Sequence, residues 1–209
     1  MNQILNTSKY NNKDKIKQKI FKIQFYGSIL IIIIIFANMF FQLINLYKKE
    51  YISKSLIKNY NISRMYSFNT MDKNKQKSND NTIFGIIEIP KLGIYYPIFS
   101  NLNEELLKIS PCKFFGESPI RNGNICIAGH NYNNSMFFSN LDKLSINDKV
   151  FIFDNNGEKY VYTINKIYEV NDTDLSPIFD YEKDRKILTL ITCNNNNQNR
   201  IIVRAKQEK

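Results

Sequence analysis

Between Lys22 and Lys48 the chain carries no charged residue, and the middle of this stretch reads Ser28-Ile29-Leu30-Ile31-Ile32-Ile33-Ile34-Ile35-Phe36. A helix needs about 20 apolar residues to cross the hydrocarbon core of a bilayer, and this stretch supplies slightly more. Its weak points, Asn38, Gln42 and Asn45, all fall in the second half, where such side chains face a neighbour or approach the interface. The competing reading is a cleaved signal peptide. No A-x-A-like cleavage site follows, however, and the run exceeds a usual h-region. The expectation is one uncleaved transmembrane anchor at 23–47, behind a basic cytoplasmic tail at 1–22. Six Lys and one Asp precede the segment, whereas Lys48, Lys49, Lys54, Lys58 and Arg64 follow it with Glu50. The positive-inside bias is small and favours the N-terminus inside.

Residues 48–82 are rich in Lys, Asn and Ser, and Met71-Asp72-Lys73-Asn74-Lys75-Gln76-Lys77-Ser78-Asn79-Asp80-Asn81 shows no apolar periodicity. Such a segment buries too little surface to offset its ordering, so an extracellular linker is expected over 48–82, with a short helix continuing from the membrane over 50–66. The net charge of +10 belongs to these leading segments. Residues 1–82 carry 14 Lys/Arg against 4 Asp/Glu, while 83–209 carry 15 of each. A nucleic-acid-binding domain would carry its own basic face, so nucleic acid is not an expected partner.

From residue 83 the texture becomes β-rich. Ile83–Ile89, Leu92–Phe99, Gly123–Gly129, Ile187–Cys193 and Arg200–Lys206 read as strands. Lys149–Phe153 and Lys159–Val170 read as a hairpin across Asp154-Asn155-Asn156-Gly157. Glu104–Ile109 and Phe137–Leu144 read as short helical pieces. Around eight short strands in such a length, with few helices, predict a mainly β, closed barrel over 83–209.

The chain has one histidine, His130, and three cysteines, Cys112, Cys126 and Cys193. No C-x-x-C or H-x-x-x-H spacing is present, so neither a metal site nor a cofactor is expected. Three thiols leave at least one free, and a Cys112–Cys126 disulfide stays open. Cys193 ends a strand, six polar residues follow, and Arg200 begins the next strand. Two strands joined this way pair as an antiparallel hairpin, which sets Cys193 and Arg200 nearly opposite each other. Arg204 lies roughly 13 Å further along the strand, so Arg200 is the cation available to Cys193. His130 also stands at a strand end, where barrels place functional groups. Each residue alone has a plain structural reading: a small buried thiol, a solvated charge, a satisfied histidine. Cys126 shares a strand face with Ala128 and His130, and reads, like Cys112, as structural.

In this order and context, the three residues resemble the sortase family. Thr189-Leu190-Ile191-Thr192-Cys193 is similar to the family's T-L-x-T-C motif, Ile127-Ala128-Gly129-His130 to its histidine segment, and Arg200-Ile201-Ile202-Val203 to its arginine strand. The resemblance covers roughly residues 82–207. It implies an eight-stranded barrel on the outer face of a Gram-positive cell membrane, and catalytic roles for Cys193, His130 and Arg200. It also implies groove positions at Ala128, Ile191 and Thr192, and surface proteins bearing an LPXTG-like sorting signal as substrates. The short segment between Val170 and Ile187 resembles class A or class D more than class B. Where many relatives have a glycine-rich segment with a second histidine, this chain has Ser110-Pro111-Cys112-Lys113-Phe114-Phe115-Gly116. The loop that follows offers only Glu117, so calcium activation is not expected.

The implied reaction is attack by the Cys193 thiolate on the Thr carbonyl of the signal. His130 protonates the leaving amine, and Arg200 stabilises the oxyanion. An amine of a cell-wall precursor then takes the acyl group. With ordinary pKa values near 8.5 and 6.5, only about 1% of the enzyme would be thiolate plus imidazolium near pH 7.5, which implies a slow enzyme. A membrane-tethered cysteine hydrolase and a non-catalytic peptide-binding barrel are the rival readings.

Overall fold

Gly85, Pro90 and Gly93 set the shape of the first barrel edge. The computed structural model describes residues 2–69, 83–132, 136–179, 185–196 and 198–208. Helix α1 runs Asn2–Asn69, and the chain divides into two units, 1–48 and 49–209. In the first unit the apolar side chains from Phe21 to Phe41 are exposed. Among the described residues, α1 is the one helix long and apolar enough to cross a membrane.

In the second unit, strands β1 (Ile83–Ile89), β2 (Ile94–Phe99), β3 (Cys112–Phe115), β4 (Gly123–Ala128), β5 (Lys149–Phe153), β6 (Lys159–Asn171), β7 (Lys186–Cys193) and β8 (Asn199–Gln207) close into a barrel. Their order around it is β1-β2-β3-β4-β7-β8-β6-β5. The β2–β3 and β4–β7 pairs are parallel, and the others are antiparallel. This is the closed eight-stranded barrel expected from the sequence.

β1 ends where Pro90 removes a ladder donor. A 3-10 turn, Pro90–Leu92, follows, and Gly93 at φ +65° closes it by donating its N–H to the Pro90 carbonyl. At Gly85 a Cβ would stand 2.4 Å from the Phe153 carbonyl oxygen, so only glycine lets β1 approach β5 this closely. The β5–β6 hairpin turns on Asp154, whose carboxylate accepts from the N–H groups of Asn156 and Glu158. Inward residues such as Ile87, Ile98, Ile152, Tyr162, Leu190 and Val203 are buried and fill the barrel.

Three elements differ from expectation. The strand β3 was not foreseen. The short helix expected over Phe137–Leu144 is only a 3-10 turn, Leu141–Lys143, because Phe137 sits at φ +48°. The helix expected over 50–66 of the linker continues from α1 without a break and extends to Asn69, while residues 70–82 lie outside the described residues. Ser53 and Ile57 of this helix are buried. Ser53 reaches Ser110, which in turn donates to the Pro97 carbonyl. Leu56 packs with Leu107 and Ile109 on the cluster of Phe99, Leu106 and Cys112. The docking stripe Ser53, Leu56, Ile57 has helical spacing, and it seats the helix on the barrel. Two further helices are short: α2 (Glu104–Leu107), capped by the Asn103 side chain, and α3 (Ser176–Phe179).

Candidate active site

The parallel β4–β7 ladder ends with Ala128 beside Ile191. Two residues beyond that pair, at the same end of each strand, stand His130 and Cys193. Three hydrogen bonds fasten the two segments together. The Gly129 N–H donates to the Ile191 carbonyl at 3.1 Å, and the Thr192 hydroxyl donates to the Gly129 carbonyl at 2.8 Å. The Asn131 amide donates to the Cys193 carbonyl at 3.0 Å. The residues on both sides of His130 are thus tied to the cysteine strand. Gly129 is also where the chain passes Phe138: a Cβ there would lie 2.7 Å from the ring.

Cys193 pairs with Arg200 across the β7–β8 hairpin, the register expected from the sequence. Asn194 shapes the connecting loop, its N–H donating to the Asn199 carbonyl and its side-chain oxygen accepting from the Gln198 and Asn199 N–H groups. Arg204, opposite Thr189, is buried, and its charge acts on Cys126.

One groove of about 320 Å³ is lined by His130, Cys193 and Arg200, and also by Ala128, Ile191 and Thr192, so all six residues singled out in the sequence meet there. The remaining walls are apolar, including Leu102, Phe114, Leu175 and Ile178, with Asp172 and Asp174 at one side. Sequence reasoning missed these walls, because they come from α3, β3 and the loops around them, which carry no motif. The Asn124 side chain fixes α3: it donates to the Pro177 and Ile178 carbonyls and accepts from the Thr189 hydroxyl at 2.7 Å. The first Thr of T-L-x-T-C therefore reaches the groove wall through Asn124.

Burial pushes the thiols of Cys112 and Cys126 up to about 12, which holds both protonated at neutral pH. Both are free thiols, so the disulfide left open by the sequence is not formed. Cys193 is the thiol that faces the groove. Partial burial, and then the Lys49 charge, lower the pKa of His130, with Glu104 acting the other way. Among the described residues, no three His, Cys, Asp or Glu side chains gather as a metal site requires.

Residues 87–208 match the sortase domain family model. The chain is 30% identical over 112 residues to sortase A of Bacillus anthracis, a match covering 53% of this chain and about half (52%) of that protein. A solved sortase D5 transpeptidase of Clostridium perfringens superimposes with a TM-score of 0.59 at 28% identity, covering 76% of this chain and 96% of that one. A sortase C of Clostridium perfringens shares the fold, with a TM-score of 0.57 at 24% identity over 75% of this chain and 89% of that one. With a matching domain over most of the barrel, this chain belongs to the sortase family of transpeptidases.

Proposed function

We propose that this chain is a membrane-anchored sortase that cleaves an LPXTG-like C-terminal sorting signal between Thr and Gly and passes the acyl group to a cell-wall amine. The observation that carries this reading is the single groove holding a thiol, an imidazole and a guanidinium, with the two segments flanking His130 and Cys193 hydrogen-bonded to each other. The Cys193 thiolate attacks the Thr carbonyl, and Arg200 donates hydrogen bonds to the oxyanion. The Thr–Gly bond breaks as His130, as imidazolium, gives its proton to the leaving amine. The incoming amine then attacks the thioester, returns a proton to His130 and releases the Cys193 thiolate. Ala128, Ile191 and Thr192 line the floor on which the signal lies.

The anchor in this reading is the apolar part of α1, with the barrel outside the cell. The lowered pKa of His130 shrinks the imidazolium population at neutral pH, in keeping with slow turnover. The test uses the full chain in detergent micelles with a quenched L-P-x-T-G-type peptide library, with and without an added amine. Ligated product that depends on the amine and vanishes in Cys193→Ala is the expected result. Hydrolysis that no amine intercepts would make the protein a hydrolase. A folded protein that cleaves nothing would make it a binding barrel.

A further inference from the structure

The mechanism leaves unused a stack of side chains behind the imidazole. The Tyr132 ring lies against His130, with centroids 5.1 Å apart and planes at 41°. Tyr132 also packs on Phe137 at 5.8 Å, and Phe137 meets Tyr96 edge-on at 5.1 Å. The Tyr132 N–H donates to the Ser139 hydroxyl oxygen at 3.0 Å, so backbone and ring are both held. The Lys49 ammonium lies 4.6 Å from the Tyr132 centroid and donates to the Tyr132 hydroxyl at 3.4 Å. Lys49 is not a wandering surface lysine. It is half-buried and heads the helical stripe that continues through Ser53, Leu56 and Ile57, the residues that dock α1 on the barrel.

We propose that Lys49 and Tyr132 are positioning residues for His130: the docked helix clamps the tyrosine, and the tyrosine ring sets the plane of the imidazole. The proposal rests on the reading of His130 as the acid of the transfer reaction. An aromatic platform removes rotamers that point the imidazole away from the leaving amine, and orientation of this kind is worth on the order of tenfold in rate. The Lys49 charge adds a second effect by disfavouring the imidazolium. A less basic imidazole is a stronger acid toward the leaving amine, so population is exchanged for driving force. Other charged or titratable groups also act near the ring. Glu104 and Lys108 act from α2 and its C-cap, and Cys193, Arg200, Asp172 and Asp174 line the same groove. Lys49 acts more strongly on His130 than Glu104 or Lys108 does, and it contacts the platform as well.

His130 is the chain's one histidine, so its NMR titration needs no separation from other imidazoles. The experiment titrates the full chain in micelles as wild type, Lys49→Met, Lys49→Arg, Tyr132→Phe and Tyr132→Leu, with folding checked by thermal melting. The expected wild-type His130 titrates below free histidine. Lys49→Met moves it upward and carries the acid limb of kcat/KM with it, while Lys49→Arg restores the wild-type value. Tyr132→Leu lowers kcat about tenfold with KM within about twofold, and Tyr132→Phe keeps most of the rate. A Lys49→Met protein whose His130 titrates as in wild type overturns the electrostatic role. A Tyr132→Leu protein with wild-type kcat overturns the platform. The titration needs no turnover, so a protein that cleaves no sorting signal yet shows the expected shifts would sink the transpeptidase reading and leave the Lys49–His130 coupling standing.

Discussion

Thr192 is 2% exposed, and its hydroxyl donates to the Gly129 carbonyl. Thr192→Val fills the same space and strands that carbonyl, at a cost of about 1–3 kcal/mol. We expect kcat/KM to fall about tenfold or more in Thr192→Val, and to stay within about threefold in Thr192→Ser, in a fluorogenic peptide assay. If the two variants behave alike, the hydroxyl does not hold the histidine segment. Gly129→Ala presses a methyl into the Phe138 ring and displaces the residue next to His130. A loss of activity greater than the loss of melting temperature is expected. The three thiols divide by environment. At pH 8, iodoacetamide should add once to the folded chain, at Cys193, as read by intact mass and peptide mapping. Cys112 and Cys126, held up to about 12, should react only after denaturation. Rapid labelling of either in the native protein would contradict their burial.

The Thr189–Asn124–α3 chain joins the barrel wall to one side of the groove. Asn124→Leu removes the buried amide and leaves the Thr189 hydroxyl and the Pro177 and Ile178 carbonyls without it. Urea unfolding should show a loss of about 2 kcal/mol, and KM should rise more than kcat falls, because α3 lines the groove without carrying the reacting groups. An unchanged KM would mean that α3 is held by packing alone. At this scale the sequence was legible wherever strands were long and bounded. The β7–β8 register was readable from Cys193, the six polar residues and Arg200, because a hairpin leaves little freedom. β3 escaped because four residues, two of them exposed phenylalanines, show no alternation, and its tie to β2 is a single parallel pair, Phe99 with Cys112. The apolar spacing over Phe137–Leu144 imitated a helix, yet Phe137 is left-handed and the Phe138 N–H goes to the His130 carbonyl. The helix expected over 50–66 is there and runs on to Asn69, but its docking through Ser53, Leu56 and Ile57 was not legible amid the Lys/Asn/Ser composition. Of the groove, Cys193, His130 and Arg200 were legible, and the structure brings the three together. The groove walls were not, because they are assembled from β3, α3 and nearby loops, whose only signal is tertiary contact.

Over the whole chain, charge and apolarity are segregated. The excess of Lys and Arg lies in residues 1–82, and 83–209 is balanced. Membrane association that rests on the apolar part of α1 should therefore resist salt, which weakens charge attraction but not burial. The full chain should stay with membranes through high-salt and alkaline carbonate washes, and removal of residues 1–48 should free it while keeping Lys49 and the docking stripe. Release of the full chain by salt alone would replace the anchor with a peripheral attachment. The barrel order carries a further consequence. β8 follows β7 in the chain, yet it lies between β7 and β6 in the barrel, and it brings Arg200 opposite Cys193. A chain that stopped at Cys193 would hold a thiol with no guanidinium across from it and a wall still open. Closing the barrel wall and setting Arg200 against Cys193 are thus one event, and neither is reached without the other.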